Sequence, residues 1–287
     1  MNLESWLIFT KERLSLFFYA LLTGGFTLTA KALAQGSWDW EFVLSFLGLM
    51  IFFVELRLMD EFNNYKKDLI AYPQRPLPRG LLQPEALQKA ISWGLIIMLI
   101  YGVSLCLLSN EAGLSYILIL FYLYFIYKEF FLGEGFSNSP LLYTTSRQII
   151  VVGLMAFVTA CFDASMTYSL STYLAGLLIF GCSCTYEVCQ RMNPQEHPVL
   201  KNYVQTYSTK TIGLLIGILQ LISWGAAFLL HQQISLFGLI AGSSLLLLGW
   251  ILFLIDEKRF KIVASASAIA LFISLYIIPL QLWITGG

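Results

Sequence analysis

Nine stretches of mainly apolar residues, each near the length that crosses a bilayer, leave this chain few ways to fold. They run over 14–33, 41–59, 86–108, 113–130, 140–161, 169–187, 210–230, 234–255 and 262–284. A helix of about 20 residues spans the hydrocarbon core. Little sequence lies between or beyond them. A mean hydropathy of +0.74, with 12% charged residues, excludes an ordinary soluble globular protein. The expected architecture is an all-α, polytopic membrane protein with nine transmembrane helices, a single integral membrane domain over 1–287 without a soluble appendage.

The formal net charge is zero, but the charges are unevenly placed. With the N-terminus in the cytoplasm, Lys11, Arg13, the 57–79 cluster, Lys89, Lys128, Arg147, Arg191, Lys201, Lys210, Lys258, Arg259 and Lys261 fall at or near the cytoplasmic side. Lys31 alone clearly falls outside. Short loops rich in Lys and Arg stay in the cytoplasm, so the active face is expected there and the C-terminal Thr-Gly-Gly outside. Ala32-Leu33-Ala34 has the form of a signal-peptidase site, but Lys31 is misplaced for one and the preceding run is long. The first span is therefore expected to be retained.

Cys106, Cys161, Cys182, Cys184 and Cys189 lie in or beside apolar runs and read as small hydrophobes in helix packing, not as a disulfide framework or a zinc set. No nucleotide fingerprint or nucleophile elbow is present, and no nucleic-acid partner is expected. The two longest polar connections, 60–85 and 188–209, follow the second and sixth spans. Their matching positions hint at two related four-helix units with a ninth span appended.

These two connections hold the candidate chemistry. Extending the second span helically through Asp68 puts Glu61, Asn64 and Asp68 on one face, and Asp60, Asn64 and Asp68 on an overlapping one. Mg²⁺ is held by one or two carboxylates plus phosphates and waters, so either stripe suits a metal–diphosphate site. Arg75 and Arg79 follow on a loop stiffened by Pro73, Pro76 and Pro78, which suits phosphate recognition. In the second connection Glu187 and Arg191 are spaced as a helical ion pair. Opposite the first cluster, Glu187 and Glu196 become candidate metal ligands, with Lys201 and Lys210 adding positive charge. Lys128 and Arg147 are weaker candidates, since anionic lipid explains such residues equally well. His197 reads as a solvated loop residue, and His231 falls on the opposite side. Aromatics crowd the spans, among them Phe17, Phe18, Tyr19 and Phe26, and Phe121 to Tyr127. They serve packing against lipid, or line a tunnel for an isoprenoid tail.

The string Asp60-Glu61…Asp68…Arg75-Pro76-Leu77-Pro78-Arg79-Gly80 resembles the first Asp-rich motif of the UbiA superfamily of intramembrane prenyltransferases, with the R-P-[LI]-x-x-G that follows it. Glu187 to Glu196, with Tyr207-Ser208 downstream, resembles the second acidic motif. The resemblance implies Mg²⁺-dependent transfer of a prenyl group from a prenyl diphosphate to an aromatic or other lipid-soluble acceptor within a membrane, such as a bacterial inner membrane. It implies Asp60, Glu61, Asp68, Glu187 and Glu196 as metal ligands. Arg75, Arg79, Arg191, Lys201 and Asn64 would contact the donor, with Asp68, Glu187 and Arg75 central to catalysis. Asn64 stands where the family has its middle Asp, and Gln190 where a basic residue is expected. A weakened or silent homologue acting as a transporter or lipid-binding protein is the rival reading. The gathering of charge at one membrane edge favours the enzyme over a transporter, whose site usually lies at the midplane. A CDP-alcohol phosphotransferase would need a D-G-x-x-A-R string, which the chain lacks.

Overall fold

A computed structural model describes residues 3–35, 39–131, 139–230 and 233–285. Among these, nine helices are long and apolar enough to cross a membrane. The chain is an all-α integral membrane protein. A short helix, α1 (Leu3–Arg13), precedes α2 (Leu16–Ala34) and α3 (Trp40–Ala71). Then come α4 (Pro84–Cys106), α5 (Asn110–Tyr127), α6 (Pro140–Gln148), α7 (Ile150–Phe162) and α8 (Leu170–Gln190). A single-turn α9 (Tyr203–Thr206) leads into α10 (Thr209–Leu229), α11 (Gln233–Ile255) and α12 (Phe260–Thr285). His231 and the terminal Gly286-Gly287 lie outside the described residues.

Local chemistry sets the helix starts. Pro84 and Pro140 occupy first-turn positions, where their missing N–H costs nothing. Ser109, Ser169 and Ser208 each accept a hydrogen bond from the backbone N–H three residues on. Most spans match the sequence expectation within a few residues. The exception is α3, whose 32 residues reach about 48 Å, well beyond the ~30 Å hydrocarbon core. Its last turns, which carry the acidic motif, exceed the length that crossing the hydrocarbon core requires. Pro73 then ends it. The fifth span is one crossing interrupted at Ile149, so that α6 and α7 meet at a local break. Helix α1 was not legible as a separate element.

In the bundle, α2 to α5 pack as successive neighbours, α5 meets α7, and α7 meets α8. Helix α8 also packs on α10 and α12, and α12 returns to α2. Polar clasps fix the register: Tyr116 Oη donates to the Gly48 carbonyl at 2.9 Å, and Thr29 Oγ1 to the Leu275 carbonyl at 2.7 Å. At Gly181 a Cβ would lie 2.4 Å from the Leu219 carbonyl oxygen, so only glycine lets α8 and α10 approach this closely. Across α3 and α4, Gly94 leaves room for the buried Glu55 carboxyl, which a Cβ there would meet at 1.9 Å. The cysteines are free thiols, three of them buried in helix contacts, as their apolar setting predicts.

Candidate functional site

The protruding end of α3 decides between the two stripes. Asp60, Asn64 and Asp68, one turn apart, border cavities; Glu61, rotated about 100° from Asp60, is buried on the other side. There Glu61 Oε1 receives Arg13 Nη2 at 2.6 Å and Arg57 Nη2 at 2.7 Å. Arg57 Nε also donates to the Arg13 carbonyl, which ties the end of α1 to α3. Glu61 is thus the anchor of α1 and lines neither cavity.

The first cavity, about 200 Å³, opens between the end of α3, the start of α6 and the two long connections. Asn64, Lys67, Asp68, Tyr72, Arg75, Arg191, Glu196 and Lys201 line it, with Tyr143 beneath. The Arg75 guanidinium lies 2.8 Å from both Asp68 oxygens and stacks 3.7 Å above the Tyr72 ring. The proline-braced loop holds it through successive turns: Arg75 N–H donates to the Tyr72 carbonyl and Arg79 N–H to the Arg75 carbonyl. Gly80, at φ +78°, closes that loop in a conformation L side chains avoid. Arg79 itself points to the surface, where it pairs with Glu12 of α1 at 2.8 Å instead of lining the cavity.

The second cavity, about 250 Å³, lies deeper, among α2, α3, α6, α7, α8 and α12. Phe18, Tyr19, Phe26, Phe52, Phe53 and Tyr186 line it together with aliphatic residues such as Leu22 and Leu154, and Asp60, Arg57, Arg147 and Glu187 lie at its charged end. Phe18 and Tyr186 stack with centroids 6.3 Å apart, and Tyr19 and Phe53 at 6.0 Å. The aromatics that line a cavity come from α2, α3 and α8. Phe121, Tyr124 and Phe125 of α5 are exposed on the outer surface instead.

A thin polar partition joins the cavities. Arg147 pairs with Asp60 and donates to the Tyr143 hydroxyl. Glu187, on the deep side, pairs with Arg191, on the shallow side, at 2.6 Å, and the Arg191 guanidinium sits 5.1 Å from the Tyr143 ring centroid. Sequence reasoning ranked Arg147 low and passed over Lys67, Tyr72 and Tyr143. The i,i+4 spacing of Tyr143 and Arg147 was the available signal.

Other candidates are accounted for elsewhere. His197 is exposed and caps a turn, its Nδ1 accepting from Val199 N–H at 3.2 Å. Gln190 donates to the Ala264 carbonyl of α12. Lys128 lies 5.0 Å from the Tyr127 ring centroid. Lys210 lines neither cavity.

Among the described residues no three Asp, Glu, His or Cys side chains converge as a metal cluster. Each candidate acid already has a partner: Asp60 with Arg147, Glu61 with Arg13 and Arg57, Asp68 with Arg75, Glu187 with Arg191, and Glu196 with the Tyr72 hydroxyl at 2.6 Å. The donor set present, arginine-matched acids and a neutral Asn64, does not fit the expected Mg²⁺ cluster.

Burial, and then the Glu196 carboxylate it donates to, push the Tyr72 phenol up to about 12. A pKa raised on folding means that the folded state holds this proton more tightly. The resulting stability is complete below about pH 10, the ordinary tyrosine value, and is lost as pH rises through about 12. Tyr72→Phe is expected to lower stability by about 1 kcal/mol or less at neutral pH, given solvent screening at this half-exposed contact. Thermal melts of wild type and variant should differ constantly from about pH 6 to 9 and converge above about pH 10. A gap that widens there would contradict the assignment.

No protein-family model and no curated protein matches the chain. Among solved structures, a digeranylgeranylglyceryl phosphate synthase in membranes matches with a TM-score of 0.66, over 97% of this chain and 99% of that one. The identity is 13%, so the likeness is one of fold.

Proposed function

We propose that this chain is a UbiA-type intramembrane prenyltransferase, moving a prenyl group from its diphosphate to an aromatic or other lipophilic acceptor. One observation carries the reading. A cationic cavity at the end of α3 meets an aromatic cavity deeper in the bundle across a partition of paired side chains, Tyr143 with Arg147 and Arg191 with Glu187. A prenyl diphosphate has the same polarity along its length. The fold shared with a synthase that builds digeranylgeranylglyceryl phosphate supports the same conclusion.

In this reading the diphosphate lies among Arg75, Lys67, Arg191 and Lys201, and the tail runs past Tyr19, Phe18 and Tyr186. The bond between the allylic carbon and the diphosphate oxygen breaks heterolytically, and the diphosphate leaves with the electron pair. Guanidinium and ammonium groups already in place stabilise that developing charge. The allylic cation faces aromatic rings, whose quadrupoles attract it. A nucleophilic atom of the acceptor then bonds to the allylic carbon, and the proton it loses passes to the released diphosphate. Asp60 and Glu187, at the charged end of the aromatic cavity, oppose the cation's charge. The one-sided distribution of Lys and Arg supports a cytoplasmic active face in this reading.

The test is a thermal-shift titration of the full-length protein in detergent with geranyl and longer prenyl diphosphates, run beside the matching prenols. Saturation at about 100 times Kd should stabilise by about 2.7 kcal/mol. The diphosphates should do this and the prenols should not, and Arg75→Ala should abolish the shift. If no chain length shifts the folded protein, the reading falls and the non-catalytic lipid-binding homologue takes its place.

A further inference from the structure

We infer that the polar cavity neutralises a diphosphate with its own side chains, so that a divalent cation is dispensable for binding the donor. This rests on the prenyl-diphosphate reading above. Four cationic side chains, Lys67, Arg75, Arg191 and Lys201, line the cavity against two acidic ones, Asp68 and Glu196. With Glu187, which pairs with Arg191 from the neighbouring cavity, counted as well, a formal excess of one positive charge remains before any ligand enters. Lys67 belongs to none of the ion pairs among the described residues, so its ammonium is available to an anion.

The acids are not arranged for a metal. Asp68 is buried and holds Arg75 through both oxygens, and Glu196 accepts from Tyr72. Bringing a dication to Asp68 requires displacing Arg75, which leaves a guanidinium without its counter-charge in a cavity already positive. The third position of the stripe is Asn64, whose amide nitrogen donates to the Asp60 carbonyl at 2.9 Å and adds no charge. Counter-charge that a metal would supply is supplied here by guanidinium and ammonium groups. Guanidinium offers paired donors suited to phosphate oxygens, and Lys67 adds a point charge.

The deciding experiment is isothermal titration of the full-length protein, in detergent or nanodiscs, with a non-ionisable thio analogue of a prenyl diphosphate and with inorganic pyrophosphate. Each is run in EDTA and in excess Mg²⁺, for wild type and Lys67→Gln. We expect the two conditions to agree within about threefold in Kd, and Lys67→Gln to weaken binding about tenfold in both. Binding that requires Mg²⁺, or an affinity indifferent to Lys67→Gln, would overturn the inference while leaving the donor reading intact. Absence of binding in both conditions, by protein with an unchanged melting temperature, would overturn the donor reading with it.

Discussion

Arg147→Ala is expected to destabilise the protein by about 3 kcal/mol and to lower prenyl transfer at least about a hundredfold. Arg147 is the hinge of the partition: it pairs with Asp60, donates to the Tyr143 hydroxyl and borders the aromatic cavity. Its side chain is 12% exposed and that of Asp60 26%. Removing the guanidinium leaves a carboxylate unpaired at the mouth of an apolar cavity, and that penalty exceeds any net value of the pair. The figure sits at the low end of the usual range because Asp60 keeps some contact with solvent. Arg147→Lys keeps the charge but cannot reach both Asp60 and Tyr143 with one planar group, so it should recover stability more fully than turnover. Adding Asp60→Asn to Arg147→Ala removes the stranded charge and should restore most of the melting temperature while activity stays low. If Arg147→Ala melts like wild type and turns over normally, the partition has no role.

How far the sequence foretold this arrangement depends on the range of the interaction. The spans were legible because length and hydropathy alone decide them. The extension of α3 through Asp68 was legible too, because the polar residues continue without a proline until Pro73. Which stripe faces the cavities was not: Asp60 and Glu61 differ by one residue, and the choice turns on Arg13 and Arg57, which take Glu61 away to anchor α1. Arg79 shares a motif with Arg75, yet the turn between them sends one guanidinium to Asp68 and the other to Glu12. Most of the rest is long-range. Asp60 meets Arg147 across 87 residues, and Tyr72 meets Glu196 across 124. No local pattern encodes either pair. The bundle creates them by bringing the ends of α3, α6 and α8 to one edge. The arginines opposite the acids also change what the acids mean. Read along the sequence, spaced carboxylates point to metal; read in space, they are already matched.

Asp68 and Arg75 are expected to act as one unit, and a double-mutant cycle should show it. Asp68→Asn and Arg75→Ala should each lower kcat/KM about a hundredfold, and the double variant little more than either alone, a coupling of about 2–3 kcal/mol. The geometry gives the reason. Asp68 is buried, and one Arg75 nitrogen lies 2.8 Å from both its oxygens. Stacking on Tyr72 fixes the guanidinium plane from the other side. Asp68 is then a positioning residue: it holds the arginine where a leaving diphosphate needs it, and its loss matters only while Arg75 is present. A carboxylate that ligated metal independently of Arg75 would give losses that multiply, about ten-thousandfold in the double variant. Pyrophosphate affinity adds a readout that a merely structural role would not move in step. It should fall in Arg75→Ala and, to the same extent, in Asp68→Asn, although Arg75→Ala, which strands the buried Asp68 carboxylate, should melt at a lower temperature. Multiplying losses, or an Asp68→Asn protein that keeps its pyrophosphate affinity yet loses turnover, would return Asp68 to the metal-ligand role its spacing first suggested.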